Sequence, residues 1–202
     1  MTAKLFMKLL LISLLLSTLI SEVPSKDYKD WITIQDKEIW IGYTNTNFPW
    51  CKVKRFFNNT IDEILPIIED VNNYYKIFDS LVYSKKDSND IVHIKVDYPR
   101  PFSDRDYIVK FQTILDEKDI VYKFQSVKKS NKSIEQNYIR LVNAEGEWRL
   151  SKIEENLTEV SYVWNGELRG KMPNWTLSRA WIKQGNEIME NLKTYLDKGD
   201  VQ

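Results

Sequence analysis

The chain has 202 residues, of which 43% are hydrophobic, 13% aromatic and 29% charged. This composition is typical of a folded globular protein and excludes a disordered, collagen-like or disulfide-stapled one. The 29 basic and 29 acidic residues balance, so the charge gives no indication of a nucleic-acid partner. Cys51 is the single cysteine, and we expect it to be a small buried hydrophobe rather than half of a disulfide.

The first 21 residues are typical of a secretory signal peptide. Lys4 and Lys8 precede an apolar stretch over residues 9–20, which ends at the small residue Ser21. The stretch is short and interrupted by polar residues, whereas a membrane-spanning helix needs about 20 apolar residues. We therefore expect cleavage near Ser21, with an uncleaved anchor as the alternative. The expected division is a signal peptide over 1–21 and one exported domain, periplasmic or secreted, over 22–202.

Most of the mature chain shows the alternation of apolar and polar residues that is typical of β-strands. We predict strands over residues 31–35, 38–44, 50–57, 81–85, 91–98, 106–115, 120–127, 138–142, 146–153 and 158–168. His93 shares a face of its strand with Lys95 and Asp97. We therefore expect His93 to face solvent and not to act as a ligand or base.

Two helices are predicted around these strands. The first covers residues 61–70, because Asn59 or Thr60 offers an N-cap and apolar residues follow at helical spacing. Pro66 lies inside it, so the helix should be short or kinked. The second covers residues 174–196 and has one continuous apolar stripe. A helix this long needs a broad apolar partner, and the sheet is the available one, which predicts an α+β domain.

No common catalytic or cofactor motif occurs in the sequence. There is no G-x-S-x-G, H-E-x-x-H, P-loop or G-x-G-x-x-G. One histidine and one cysteine cannot build the common His- or Cys-rich zinc sites. We expect no cofactor, no metal and no catalytic residues.

One polar constellation stands out, the run PRPFSDRD from Pro99 to Asp106 between two predicted strands. It supports two hypotheses about Arg105. In one, Arg105 pairs with a carboxylate or with backbone carbonyls and stabilises a corner. In the other, its guanidinium lies at a cavity mouth and holds a ligand headgroup through several donors.

The same run resembles the signature of the START lipid-transfer domains, and three further features resemble that family in the same order. They are the first predicted helix with the following Asp70-Val71 and Tyr74-Tyr75, the strand GEWRL at 146–150, and the strand TEVSY at 158–162 with the turn GKMPNW at 170–175. The resemblance spans residues 31–196. It implies a helix-grip fold, in which a curved antiparallel sheet wraps a long C-terminal helix and leaves a lipid-sized tunnel between them.

The resemblance also implies a set of ligand-binding residues, if the concave face of the sheet carries the apolar alternates. These residues are Arg105, Tyr107, Val109, Phe111, Tyr122, Phe124, Val160, Tyr162, Trp164, Trp181 and Ile188. Gly185 lies between the last two on the C-terminal helix. Each position has plain core packing as its alternative, because a hollow sheet and a solid one share the same periodicity.

One position departs from the family pattern. Sterol-binding members carry a second, cavity-facing arginine six residues after the motif arginine, paired with an acid on the preceding strand. Here that position is Phe111, and the preceding strand offers Val92 or Ile94. The departure argues against a sterol ligand.

Three functions are consistent with these observations. The resemblance favours a non-enzymatic lipid-binding or lipid-transfer protein outside the cytoplasm, monomeric, with one hydrophobic ligand and transient membrane contact. The alternative is a polyketide cyclase or aromatase-like helix-grip enzyme, which needs an acid or base beside its substrate. Arg105 and tyrosines that are neutral near pH 7 supply neither. The third is a structural or interaction domain with a filled core.

Overall fold

The computed structural model describes residues 23–46, 48–98, 103–127, 133–165 and 174–199. The predicted signal peptide, residues 99–102 of the PRPFSDRD run, the end of the last predicted strand at 166–168 and the turn at 170–173 lie outside the described residues. Within the described part of the chain, no helix has the length and apolarity that a membrane crossing requires.

The elements follow the predicted order closely. The strands are β1 Ile32–Asp36, β2 Trp40–Tyr43, β3 Trp50–Phe57, β4 Leu81–Lys86, β5 Ile91–Val96, β6 Asp104–Asp116, β7 Asp119–Ser126, β8 Tyr138–Arg140, β9 Glu145–Glu154 and β10 Leu157–Asn165. The helices are α1 Ile61–Glu69, α2 Tyr74–Ile77 and α3 Asn174–Gly199, with a 3₁₀ turn at Val71–Asn73. Every predicted strand and both predicted helices are present, so the α+β prediction is confirmed.

All ten strands join one sheet in the order β1-β2-β3-β10-β9-β7-β6-β5-β4. Neighbours in this order pair antiparallel, and β8 adds to the start of β6 as a parallel strand. Because side chains alternate across a strand, the register places the apolar alternates of β3, β5, β6, β7, β9 and β10 on one face. That face packs against α3 and carries the core.

Helix α1 begins with a capping box. The Thr60 hydroxyl accepts a hydrogen bond from the Glu63 amide at 3.3 Å, and the Glu63 carboxylate accepts one from the Thr60 amide at 2.7 Å. Pro66 lies in the helix interior, and α1 ends three residues later at Glu69. The expectation of a short helix is confirmed.

Helix α3 lies close to the sheet because Gly185 has no side chain. A Cβ at this position would lie 2.9 Å from Cδ1 of Ile41 and 3.4 Å from Cβ of Val53. The next turns of α3 bury Met189 and Leu192 completely. The middle of the helix therefore packs tightly against β2 and β3, and this contact determines where any free space between helix and sheet is left.

The expectation that His93 faces solvent is wrong. Its side chain is only 12% exposed, and Nε2 lies 2.9 Å from Oδ2 of Asp106. The alternation assigned His93 correctly to the outer face of β5, but on that face its ring packs against Tyr83 of β4, with 5.5 Å between ring centroids, and against the carboxylate of Asp106. Cys51 is buried, as expected.

Candidate functional site

A cavity lies between the concave face of the sheet and α3. The space open to the centre of a water-sized molecule is about 90 Å³, and the total empty volume, including the mouth, is about 970 Å³. One ordered water needs about 10–15 Å³ by the first measure, so the cavity is much larger than a packing defect. The walls come from β5, β6, β7, β9 and β10, from the connection between α2 and β4, and from α3.

Most of the sequence-predicted site residues line this cavity. They are Arg105, Tyr107, Phe111, Phe124, Tyr162, Trp164 and Ile188. Tyr107, Phe111 and Tyr162 are only partly buried although they belong to the core face, because they border the empty space.

The other predicted residues, Val109, Tyr122, Val160 and Trp181, do not line the cavity and are buried in the packed core. Tyr122 stacks behind Phe111 with 4.8 Å between ring centroids. Trp181 packs against Tyr43 at 5.1 Å. Strand alternation placed the first three on the inner face of the sheet, and the helical stripe placed Trp181 on the inner face of α3, but neither pattern shows which part of a face another side chain covers.

Stacked aromatic rings form the apolar wall of the cavity. Phe111 contacts Phe124 with centroids 5.5 Å apart, and Phe124 stacks on Tyr162 at 6.1 Å. Tyr162 in turn packs against Trp148 at 4.4 Å and Trp164 at 5.2 Å. Each of these rings packs against at least one other ring of the wall, and the empty space lies beside them.

Gly146 is the position on β9 that allows this stack. A Cβ there would lie 2.3 Å from the Val163 carbonyl oxygen and 2.7 Å from the Phe124 ring. Any larger residue would displace the backbone of β10 or the Phe124 ring. The glycine of the GEWRL strand thus makes room for the aromatic wall.

The α2–β4 connection and α3 form one side of the cavity and are joined by hydrogen bonds. The Ser80 amide donates to the Glu187 carboxylate at 2.8 Å, and the Asp79 amide donates to Oδ1 of Asn191 at 3.1 Å. The Asn191 side-chain amide donates to Oδ2 of Asp79 at 3.0 Å. Ser80 borders the cavity on this side, and Ile188 borders it on the helix.

Arg105 lies in the cavity wall and is only 2% exposed. Its Nη1 donates to the Ser103 carbonyl, and its guanidinium lies 5.1 Å from the centroid of the Tyr98 ring. Strand β6 begins at Asp104, two residues earlier than predicted, so Arg105 belongs to the strand rather than to a corner. The structure therefore combines the two hypotheses about Arg105: its guanidinium bonds a backbone carbonyl, as the structural hypothesis expects, and it lies in the cavity wall, as the ligand-binding hypothesis expects.

The tyrosines of the cavity are hydrogen-bonding groups rather than bases. Burial raises the pKa of Tyr107 and Tyr162 far above the ordinary value. The carboxylate among the lining residues, Glu145, lies 3.4 Å from the Lys123 ammonium. In the described part of the chain, no group of three or more His, Cys, Asp or Glu residues is placed to hold a metal ion.

Sequence reasoning missed about two thirds of the lining. The missed residues are Tyr74, Phe78, Ser80, Leu81, Ile94, Val96, Tyr98, Leu141, Asn143, Ala144, Glu145, Trp148, Asn165 and Gln184. The alternation within β5 and β9 was a usable signal for Ile94, Val96 and Trp148. Residues of connections, such as Ser80 and Asn143, have no periodicity from which their position could be read.

Comparison with known proteins decides the fold. No protein-family model and no curated protein sequence matches the chain. Solved structures do match, among them the STAR-related lipid transfer protein of Xanthomonas axonopodis, with a TM-score of 0.72 and 16% identity over 84% of this chain and 99% of that one. The chain has a START-like fold.

Two human proteins extend this START-like match. Human StAR-related lipid transfer protein 5 superposes with a TM-score of 0.77 and 11% identity, over 87% of this chain and 90% of that one. Human STARD10 superposes with a TM-score of 0.74 and 12% identity, over 88% of this chain and 81% of that one. At these identities the likeness concerns the fold, and it confirms the predicted helix-grip architecture of an antiparallel sheet around a C-terminal helix.

Proposed function

We propose that this protein is an exported lipid-binding or lipid-transfer protein that holds one hydrophobic ligand between its sheet and α3. The observation that carries the proposal is the cavity itself, because its aromatic wall encloses empty space where a structural domain has packed side chains. The matching solved structures of this fold include proteins named for lipid transfer, which supports a lipid as the ligand.

The apolar wall is sufficient to drive binding. Removing apolar surface from water contributes about 25 cal/mol per Å². A lipid that buried about 400 Å² would gain on the order of 10 kcal/mol before the entropic cost of binding. Few polar contacts are then needed, and they serve mainly to orient the ligand.

A sterol held by a buried ion pair is a poor fit for this site. The family position for the second arginine is Phe111, which stands in the aromatic wall. On the neighbouring strand, Val92 and Ile94 are fully buried apolar residues. We therefore propose a ligand with a long apolar part, and not one that depends on this ion pair.

We propose that the protein works without catalysis. A cyclase needs a group that takes up or donates a proton near pH 7. The raised pKa of Tyr107 and Tyr162 keeps both hydroxyls neutral near pH 7, so neither acts as a base. The proposal further includes export after cleavage near Ser21, action as a monomer and transient contact with the membranes that donate and accept the lipid.

Mass spectrometry tests this proposal directly. The full chain is expressed with its N-terminal segment, purified from the exported fraction and extracted with organic solvent. We expect a lipid in the extract in near-stoichiometric amount, and uptake of labelled lipid from liposomes by the stripped protein. A clean extract together with no uptake would overturn the proposal, and recovery of the protein solely from the cytosol would overturn export.

A further inference from the structure

The cavity ends against packed side chains of the sheet. On four of its strands, the last residue that lines the cavity is followed on the same face by a residue buried in the core. The buried residues are Val92 beyond Ile94 on β5, Tyr122 beyond Phe124 on β7, Leu150 beyond Trp148 on β9 and Val160 beyond Tyr162 on β10. In the paired register, all four steps lead in the direction that runs from Arg105 to Phe111 along β6. These strands therefore form a solid floor at that end.

Tyr74 of α2 borders the cavity at the floor. Its ring meets Phe111 edge to face with centroids 6.2 Å apart, and it meets Phe78 in the same way at 5.3 Å. Phe111 is the last residue of β6 that lines the cavity in this direction. The Tyr74 ring therefore stands where the empty space stops.

Hydrogen bonds hold the Tyr74 ring and the helix behind it in position. The Tyr74 hydroxyl donates to the carbonyl of Ile68, a fully buried residue in the last turn of α1. The next residue, Glu69, accepts a hydrogen bond from the Thr113 hydroxyl of β6 at 2.8 Å. Moving the ring out of the way would leave a buried hydroxyl and a buried carbonyl unpaired, which is costly. The floor is therefore a fixed boundary.

The boundary offers apolar surface to a ligand. The Tyr74 hydroxyl is used by the Ile68 carbonyl, and the neighbouring Phe78 stacks on Trp148 with centroids 5.9 Å apart. A polar group pushed against these rings would lose its hydrogen bonds to water without replacement. The part of a ligand that reaches the floor is therefore the end of a hydrocarbon chain.

We propose that Tyr74 is a specificity-determining residue, whose ring sets an upper limit on the length of the hydrocarbon chain that the cavity accepts. The ligands are lipids whose chain ends at this ring, and longer chains are rejected because the fixed ring blocks their last methylene groups. This inference rests on the proposed lipid-binding function and names the ligand class of the same site.

A series of lipids that differ only in chain length tests the proposal. The delipidated full chain is mixed with equimolar saturated fatty acids from lauric to behenic acid, and separately with the matching monoacylglycerols. Native mass spectrometry measures how much of each is bound. Without a floor, binding would rise along each series, because every added methylene group buries more apolar surface. With the floor, we expect binding to reach a maximum and then to fall about tenfold at the next longer chain, as for an overfilled core.

Substitutions at position 74 assign the limit to the tyrosine ring. Tyr74→Ala removes the ring and should shift the maximum by at least one step of the series toward longer chains, because the freed space joins the cavity. Tyr74→Leu keeps an apolar side chain for folding and should shift the maximum in the same direction. Tyr74→Phe removes the hydroxyl alone and should leave the maximum where it is.

Two control variants separate this effect from a loosened fold. Tyr75→Ala removes the neighbouring ring of α2, which is 45% exposed. Ile41→Ala removes a fully buried side chain of β2 that does not line the cavity. Both should leave the maximum unchanged, although Ile41→Ala lowers the stability of the core.

The outcomes separate this inference from the proposed function. Binding that rises to the longest chain in the unmodified protein overturns the length limit and leaves lipid binding intact, and this comparison requires no folded variant. A maximum that stays in place in folded Tyr74→Leu, or that moves equally in Ile41→Ala, overturns the role of Tyr74. Failure of every chain length to bind overturns the proposed function itself.

Discussion

His93 and Asp106 face each other on the outer side of the sheet, with Nε2 of the imidazole 2.9 Å from Oδ2 of the carboxylate. Arg140 of β8 contacts the same carboxylate twice, since Nε donates to Oδ1 at 2.8 Å and Nη2 donates to Oδ2 at 2.6 Å. Asp106 is only 2% exposed. One buried carboxylate thus joins β5, β6 and β8.

This arrangement predicts that Asp106→Asn destabilises the protein by about 3 kcal/mol at pH 7, because it removes one partner of buried charged groups. Burial would raise the pKa of Asp106, but the hydrogen bonds from Arg140 and His93 outweigh it and lower the pKa. Because the pKa is lowered in the folded protein, the carboxylate stabilises the fold fully at pH values above its ordinary pKa. This stabilisation is lost as the pH falls through the lowered pKa.

Urea unfolding at pH 7 and at pH 3 measures this effect. The difference in the free energy of unfolding between the unmodified protein and Asp106→Asn should be smaller at pH 3 than at pH 7. Asp197→Asn is the control, because Asp197 pairs with Lys193 on an exposed part of α3 and should contribute less than about 1 kcal/mol. A constant difference at both pH values would contradict the assignment to the Asp106 carboxylate.

Gly146→Ala should destabilise the protein by about 1–3 kcal/mol, because the new methyl group overlaps the Val163 carbonyl and the Phe124 ring. Gly199→Ala is the matched control, since a Cβ at that position meets no atom within 4 Å. Thermal unfolding of both variants measures the contrast. Equal melting temperatures would show that β9 and β10 do not approach each other as closely as the structure indicates.

Phe111→Asp should abolish lipid loading, because it places a charge in the apolar wall of the cavity. Phe56→Asp is the control, since Phe56 lies on the outer face of β3 and is 52% exposed. Lipid content is measured by mass spectrometry on folded, monodisperse protein. If Phe111→Asp does not fold, Phe111→Gln introduces a polar group without charge and should reduce loading. Unchanged loading in a folded variant at position 111 would exclude Phe111 from the site.

The hydrogen bonds between α3 and the α2–β4 connection predict a local change in dynamics. Asn191→Ala removes both hydrogen bonds between the Asn191 side chain and Asp79, and it should raise amide hydrogen exchange at Asp79 and Ser80 about fivefold or more, because each hydrogen bond contributes about 1 kcal/mol. Lys193→Ala, two residues further along the helix, should leave these amides unchanged. Exchange rates unaffected by Asn191→Ala would show that other contacts hold the α2–β4 connection against α3.

The fold could be predicted because its elements leave local signals. The alternation in β5 identified Val92 and Ile94 as core residues, and Thr60 with Glu63 marked the start of α1. The same alternation did not show that His93 is covered, because its ring contacts Tyr83 of β4 and the carboxylate of Asp106 on β6, which come beside it only when these strands pair. No local pattern reports such a contact.

The candidate site was predictable to a more limited extent. Val109 and Phe111 are identical in their periodicity, yet Val109 is fully buried and Phe111 borders the cavity. Periodicity within one strand does not report what lies opposite each residue across the core; Phe111, for example, meets the edge of Tyr74 from α2.

By itself, the sequence determined the succession of strands and helices, the face of each strand that turns inward and the balance of charge. These properties follow from the spacing of residue types along a chain of known geometry. The tertiary structure alone decided that the interior is partly empty and that Arg105 lies in its wall. Empty space is a property of how separate surfaces meet, and surfaces distant in sequence meet only after the chain has folded.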